Sequence, residues 1–191
     1  HFGVSVDEYP NVLVDTTNPT EFDSAMTWTL GANTTKTVNA WGILLSNGGT
    51  AQETSRAEIN LPSGTTKVFF CFRILSPRWR EMTVVDEDGD VYCVVINPQN
   101  SAADVYLRKV IGGTATTLAT YAIDISAGKA HLATFEYRHG SFKRSWYEDG
   151  QILYTEDSDA SMGSPVIAKV AIVLDADETA KIFPPYIIRY G

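Results

Sequence analysis

The stretch Met82-Thr83-Val84-Val85-Asp86-Glu87-Asp88-Gly89-Asp90-Val91-Tyr92-Cys93-Val94-Val95 places two apolar, β-branched runs on either side of an acidic turn that carries a glycine. Such side chains fit a pleated surface, and Gly89 supplies the positive φ that a tight reversal needs, so the stretch reads as an antiparallel hairpin. The pattern continues in both directions. Gly112-Gly113, His139-Gly140 and Asp149-Gly150 punctuate three further hairpins. Runs of Val, Ile, Thr, Tyr and Phe recur between Gly/Asn/Asp/Ser clusters about every 8–12 residues, the spacing of an all-β sandwich.

Working outward, strands are expected near Asn11–Val14, Thr27–Leu30, Trp41–Leu45, Ser55–Asn60, Lys67–Ile74, Glu81–Asp86 and Val91–Ile96. The second half adds Asp104–Val110, Thr116–Ile123, Lys129–Tyr137, Ser141–Glu148, Gln151–Asp157, Val166–Leu174 and Tyr186–Tyr190. No long window keeps an apolar period of 3.6, so no long amphipathic helix is expected, and only short helical turns fit near Asp23 and at Asp175–Thr179. Both faces of Val68-Phe69-Phe70-Cys71-Phe72-Arg73-Ile74 are apolar apart from Arg73. That marks a central strand covered on both sides, or one facing a neighbouring subunit, with Arg73 needing a partner or an exit to solvent. The expected architecture is two face-to-face antiparallel sheets with jelly-roll connections. It is expected to form one domain over residues 1–191, with the strands of residues 1–50 less sharply marked.

Fifteen Lys and Arg against 23 Asp and Glu give the 191-residue chain a net charge of −8. With no basic stripe to neutralise phosphates, nucleic acid and anionic membrane surfaces are poor partners. The apolar runs Val68–Phe72 and Pro165–Leu174 fall short of the roughly 20 residues that span a bilayer. Cys71 and Cys93 are too few for a disulfide framework and lack metal-ligand spacing, so buried free thiols are expected ahead of a bridge between neighbouring strands. No secretion signal is visible at the start, and the chain opens on His1 instead of Met. The expectation is a processed chain, a piece of a longer polypeptide or a tag remnant.

One segment resembles a known family. His131-Leu132-Ala133-Thr134-Phe135-Glu136-Tyr137, followed by Ser145-Trp146-Tyr147-Glu148-Asp149-Gly150-Gln151-Ile152-Leu153, is similar to paired strands of the concanavalin A-like, laminin-G-like jelly rolls. The Val68–Leu75 strand, the Val84–Gly89 hairpin and the closing Tyr186–Tyr190 strand occur in the order that family would place them. The resemblance covers about residues 55–191 and implies a β-sandwich that serves as a lectin, a glycan-binding module, a polysaccharide-degrading enzyme or a phage virion protein. Function therefore has to be argued from sites.

Retaining glycosidases on this fold need two carboxylates on alternate positions of one strand, about 5–5.5 Å apart. Glu53 and Glu58 are separated by an odd number of positions and would point to opposite faces. Arg56 and Glu58, two apart, share a face, and Ser55-Arg56-Ala57-Glu58-Ile59 resembles the Arg-x-Glu strand of alginate-lyase-type jelly rolls. The Gln-x-His element of those enzymes is missing here, so a same-face ion pair is the preferred reading, with a lyase of alginate or glucuronan type as the alternative. Asp86, Asp88 and Asp90, and separately Asp175 and Asp177, are weak candidates for Ca²⁺, against solvated turns. An N-terminal copper site would need His1 with His131 or His139. Trp28, Trp41, Trp79 and Trp146 are the stacking candidates, and Trp79, flanked by Arg78 and Arg80, is the expected ligand-binding group. The leading expectation is a non-catalytic module, extracellular or in a virion. Its partner is a glycan or neighbouring virion or other protein subunits, a homo-oligomer is allowed, and no cofactor is expected, with Ca²⁺ as the one candidate.

Overall fold

The computed structural model describes residues 10–14, 18–75, 80–97, 105–121, 130–138, 141–148, 151–158, 166–176 and 179–190. In chain order these form β1 (Pro10–Val14), α1 (Pro19–Ala25), β2 (Thr27–Thr29), β3 (Thr34–Asn39), β4 (Gly42–Asn47), β5 (Glu53–Asn60) and β6 (Lys67–Leu75). There follow β7 (Arg80–Asp86), β8 (Val91–Ile96), β9 (Val105–Ile111), β10 (Thr114–Tyr121), β11 (Ala130–Arg138), β12 (Ser141–Glu148), β13 (Gln151–Ser158), β14 (Ile167–Ala176) and β15 (Thr179–Tyr190).

Two antiparallel sheets result. One runs β13-β12-β11-β6-β15-β4-β3 with β1 also on β15, and the other runs β10-β9-β8-β7-β14-β5-β2. The Met82–Val95 stretch is the β7–β8 hairpin, with Val85 opposite Val91 and Gly89 at φ 86°. Gly112 and Gly113, at φ 54° and 82°, turn β9 into β10. The turns at His139-Gly140 and Asp149-Gly150 lie outside the described residues, but the strands they join pair up to Arg138↔Ser141 and Glu148↔Gln151.

Period-two alternation sends one face of each sheet into a shared core. Val68, Phe70 and Ile74 of β6, Ile43 and Leu45 of β4, and Ile182 and Ile187 of β15 enter from the eight-stranded sheet. They join Met82, Val84, Tyr92, Val94, Leu107, Val170 and Ile172 from the other sheet in one buried cluster. Complete burial of an aliphatic or aromatic side chain contributes about 1.5–3 kcal/mol, so this layer dominates the folding energy.

Three expectations change. The strand β3 was not expected, because Thr34-Thr35-Lys36-Thr37 has no apolar alternation; among the described residues it is an edge strand paired only to β4. The last strand begins at Thr179 and not at Tyr186, and Asp175–Ala176 closes β14, so the described part of Asp175–Thr179 is extended and not helical. Pro184 and Pro185 fall in a register shift between Phe183 and Tyr186, after which the strand resumes pairing with β6. On the outer face of β6, Phe69 and Cys71 are half-buried, and Arg73 is exposed and so takes the exit to solvent.

The short helix near Asp23 is α1. Asn18 caps it by accepting from the amides of Thr20 and Glu21 at 3.0 and 3.4 Å, Pro19 occupies the first turn, and Phe22 is fully buried.

Candidate functional site

Arg56 and Glu58 of β5 lie on the outer face of the seven-stranded sheet, opposite the face of Glu53. Ladder register generates that face row by row. Glu58 lies opposite Ala171, Ala171 opposite Thr83, Thr83 opposite Cys93 and Cys93 opposite Arg108. One pleat along, Arg56, Val173, Glu81, Val95 and Tyr106 form the parallel row. Ala171, Thr83 and Cys93 are buried, and the partly exposed polar side chains of the face stand on β5, β14 and β9.

Two ion-pair groups occupy it. Arg56 Nε donates to Glu58 Oε2 at 2.7 Å, and Lys169 Nζ donates to Glu58 Oε1 at 3.3 Å. The same-face pairing of Arg56 with Glu58 is the one period two predicts, and Lys169 joins it from β14 because register sets it one pleat from Ala171. Partial burial pushes the Glu58 carboxyl up, but hydrogen bonds and charge from Arg56 and Lys169 outweigh that and hold it below its ordinary value. Glu58 is therefore ionised at neutral pH and a weakened base.

Deeper in the face, Arg108 Nη2 donates to Glu81 at 2.5 Å. Glu81 is 8% exposed, so its charge is tolerated only because a cation and hydrogen bonds meet it. Beside it, burial first and the Glu81 charge second push the Cys93 thiol up to about 12, against the opposing effect of Arg108. Thr83 Oγ1, in the row between Ala171 and Cys93, is buried with no hydrogen-bond partner among the described residues.

Lys169, Glu81, Arg108 and Tyr106 were not singled out from the sequence. Lys169 left a signal, since it is the one charge interrupting the apolar run Pro165–Leu174. Glu81 and Arg108 left none, because 27 residues separate them and only the β7-β8-β9 meander brings them together.

The other candidates fall elsewhere. Arg78 and Trp79 lie outside the described residues, and Arg80 opens β7 opposite Leu174 and Ile96. His1 and His139 are likewise outside, and His131 lies on β11 opposite Ile74. Trp28 is structural: its ring meets Phe22 edge-on at 5.9 Å, its Nε1 donates to the Asp23 carbonyl at 3.3 Å, and Lys36, paired to Asp23, lies over it. Trp41 stands at the β3–β4 turn, 38% exposed.

The acidic hairpin is built as a turn. Asp86 Oδ1 accepts from the amides of Asp88 and Asp90 at 3.0 and 2.8 Å, and Asp90 Oδ1 accepts from the Gly112 amide at 2.9 Å. Burial foremost, and then the charges of Asp90 and Asp88, push the Asp86 carboxyl above its ordinary value despite those amides. Asp175 accepts from Gln52 Nε2 at 2.6 Å and Thr54 Oγ1 at 2.5 Å, while Asp177 lies outside the described residues. Among the described residues no three His, Cys, Asp or Glu side chains converge on a point where an ion could be held. The cysteines are free, Cys93 buried and Cys71 half-buried. They lie in different sheets, which removes a bridge across neighbouring strands.

No protein-family model and no curated protein matches the sequence. Solved structures do match the fold. Lectin UEA-II complexed with galactose superposes with a TM-score of 0.67 at 11% identity, over 96% of this chain and 99% of that one. A carbohydrate-binding module from Bacillus subtilis gives 0.55 at 19% identity, over 83% and 94%. The exoplasmic/lumenal domain of VIP36 in its Ca²⁺/Man2-bound form gives 0.59 at 8%, over 86% and 81%. The chain thus has the two-sheet, concanavalin A-like β-sandwich fold of lectins and carbohydrate-binding modules.

Proposed function

We propose that this protein is a non-catalytic glycan-binding module whose outer seven-stranded face carries the saccharide. The observation behind this is the triad Arg56–Glu58–Lys169, three charged side chains fixed on one half-exposed sheet face. A carboxylate offers about four lone-pair sites, and the two cations use two of them. The remaining lone pairs of Glu58 and spare donors of Arg56 and Lys169 are suited to adjacent sugar hydroxyls, which both give and accept hydrogen bonds. Charge-assisted bonds of this kind are about twice as strong as neutral ones. The galactose and mannose-type ligands named for two of the structural neighbours are the same chemical class.

The lyase-type alternative uses the same Arg56 and Glu58. A carboxylate held between two cations is poorly suited to taking a proton, which favours binding over catalysis. In this reading Trp79, between Arg78 and Arg80 in the sequence, remains the proposed stacking group.

Titration with galactose and mannose oligosaccharides, followed by ligand-observed NMR and calorimetry, tests the proposal. Glu58→Gln is expected to weaken binding at least about tenfold, roughly 1.4 kcal/mol, with the fold intact by circular dichroism. Trp79→Ala should cost more than about 1 kcal/mol. Absence of binding across the panel, or an affinity untouched by Glu58→Gln, overturns the site. Product release from alginate or glucuronan that disappears in Glu58→Gln would establish the enzyme instead.

A further inference from the structure

The outer face of the other sheet carries a second constellation that the Arg56–Glu58 site leaves unused. Trp41, at the β3–β4 turn, meets Phe183 of β15 with ring centroids 5.7 Å apart and planes at 53°. The Arg73 guanidinium of β6 lies 4.9 Å from the Phe183 ring centre, and Lys181 Nζ lies 5.5 Å from that of Trp41. Register explains the grouping. Arg73 is directly opposite Phe183, Lys181 precedes Phe183 by two positions on the same face, and Lys181 lies between Leu44 and Leu75, both half-buried.

The backbone is shaped to deliver Trp41 there. Gly42 takes φ +153°, and a Cβ at that position would stand 2.3 Å from the Ile182 carbonyl oxygen. Only glycine lets the hairpin close down on β15 and set the indole over Phe183. The indole stays 38% exposed, one of the few large apolar side chains among the described residues to do so. Neither Arg73 nor Lys181 has an acidic partner among the described residues. In a chain of net charge −8, two cations with no acidic partner among the described residues, beside the exposed Trp41 and the half-buried Phe183, are a local inversion of sign.

We propose that this face is a second saccharide site, selective for a sugar residue that bears a carboxylate. The apolar C–H face of a pyranose stacks on the Trp41 indole, and the carboxylate takes the guanidinium of Arg73 and the ammonium of Lys181. Diagonal neighbours on a sheet stand about 7–8 Å apart, a span that one carboxylate on a ring can bridge with two long side chains. The indole supplies a flat stacking surface at one end and the cations bind charge at the other, so a sugar acid fits better than a neutral sugar or an extended acidic peptide. The inference shares with the preceding one only the class of ligand, and either can fail alone.

The test uses a glucuronic acid trisaccharide, the matching glucose trisaccharide and a glutamate tripeptide, titrated into the ¹⁵N-labelled full chain. Amide shifts are expected at Gly42, Arg73, Lys181 and Phe183 with the acidic sugar, weakening as salt rises. Trp41→Ala should reduce its affinity at least about tenfold, as loss of a stacking anchor does, and Trp41→Phe less. Lys181→Gln and Arg73→Gln, both at exposed positions, should erase the preference for the acidic over the neutral sugar, and Glu58→Gln should leave these shifts unchanged. Equal binding of the two sugars, equal binding of the peptide, or an affinity indifferent to Lys181→Gln overturns the proposal. Shifts confined to residues 56–58 and 169 would overturn it while supporting the first site.

Discussion

Asp86 and Glu58 are carboxylates in the same sheet whose acidities move in opposite directions. Burial and two neighbouring aspartates raise Asp86, whereas two cations draw Glu58 down against partial burial. The signs follow by linkage. A raised native value means that Asp86 contributes stability below its ordinary 3.8 and loses it as pH rises through the native value. A lowered one means that the Glu58 contribution is present above 4.5 and is lost as pH falls through the native value. Urea unfolding across pH therefore separates two substitutions. Asp86→Asn, which keeps an acceptor for the Asp88 and Asp90 amides, should be more stable than the parent at neutral pH, with the gain vanishing in acid. Glu58→Gln should be less stable at neutral pH, with the loss vanishing in acid. Parallel curves for the two variants would refute both assignments. The Arg56–Glu58 pair was legible in the sequence because period two fixes same-face neighbours. The Glu81–Arg108 pair was not, since its partners meet only through strand order.

At the scale of elements, turn chemistry was legible and polar edge strands were not. Gly89 and the Gly112-Gly113 pair announced their hairpins because a positive φ leaves few alternatives to glycine. The Thr34–Asn39 strand gave no apolar period, and its place was settled by pairing with β4 alone. The β3–β4 hairpin depends on Gly42 in turn, where an added methyl would run into the backbone of β15. Gly42→Ala is expected to cost about 1–3 kcal/mol in thermal or denaturant unfolding, the range for a residue forced into sparsely populated backbone space. Indole fluorescence should also change as Trp41 leaves Phe183. Gly64→Ala is the control: its φ of +81° is also positive and disfavoured for an L side chain, yet nothing lies within 4 Å of its added methyl. If Gly42→Ala costs no more than Gly64→Ala, the close approach of the hairpin to β15 is not what glycine serves there.

For the whole molecule, the sandwich was legible because its turns and its period-two runs agree, and agreement between local and global signals is what makes a fold readable. Which outer face carries chemistry was less legible, because it depends on which strands become neighbours. The buried side chains from α1 through β15 form one cluster, so neither sheet keeps an apolar partner if the other departs. Expressed as a measurement, unfolding followed by indole fluorescence and by far-ultraviolet circular dichroism should give coincident single transitions. Phe70, fully buried on the central strand β6, is the place to load that cooperativity. Phe70→Ala should lower stability by about 3–5 kcal/mol and move both transitions together, since the cavity opens in the layer the two sheets share. A Phe70→Ala protein in which one probe shifts and the other stays would show residues 1–50 or another segment folding apart from the sandwich, and would end the single-domain reading.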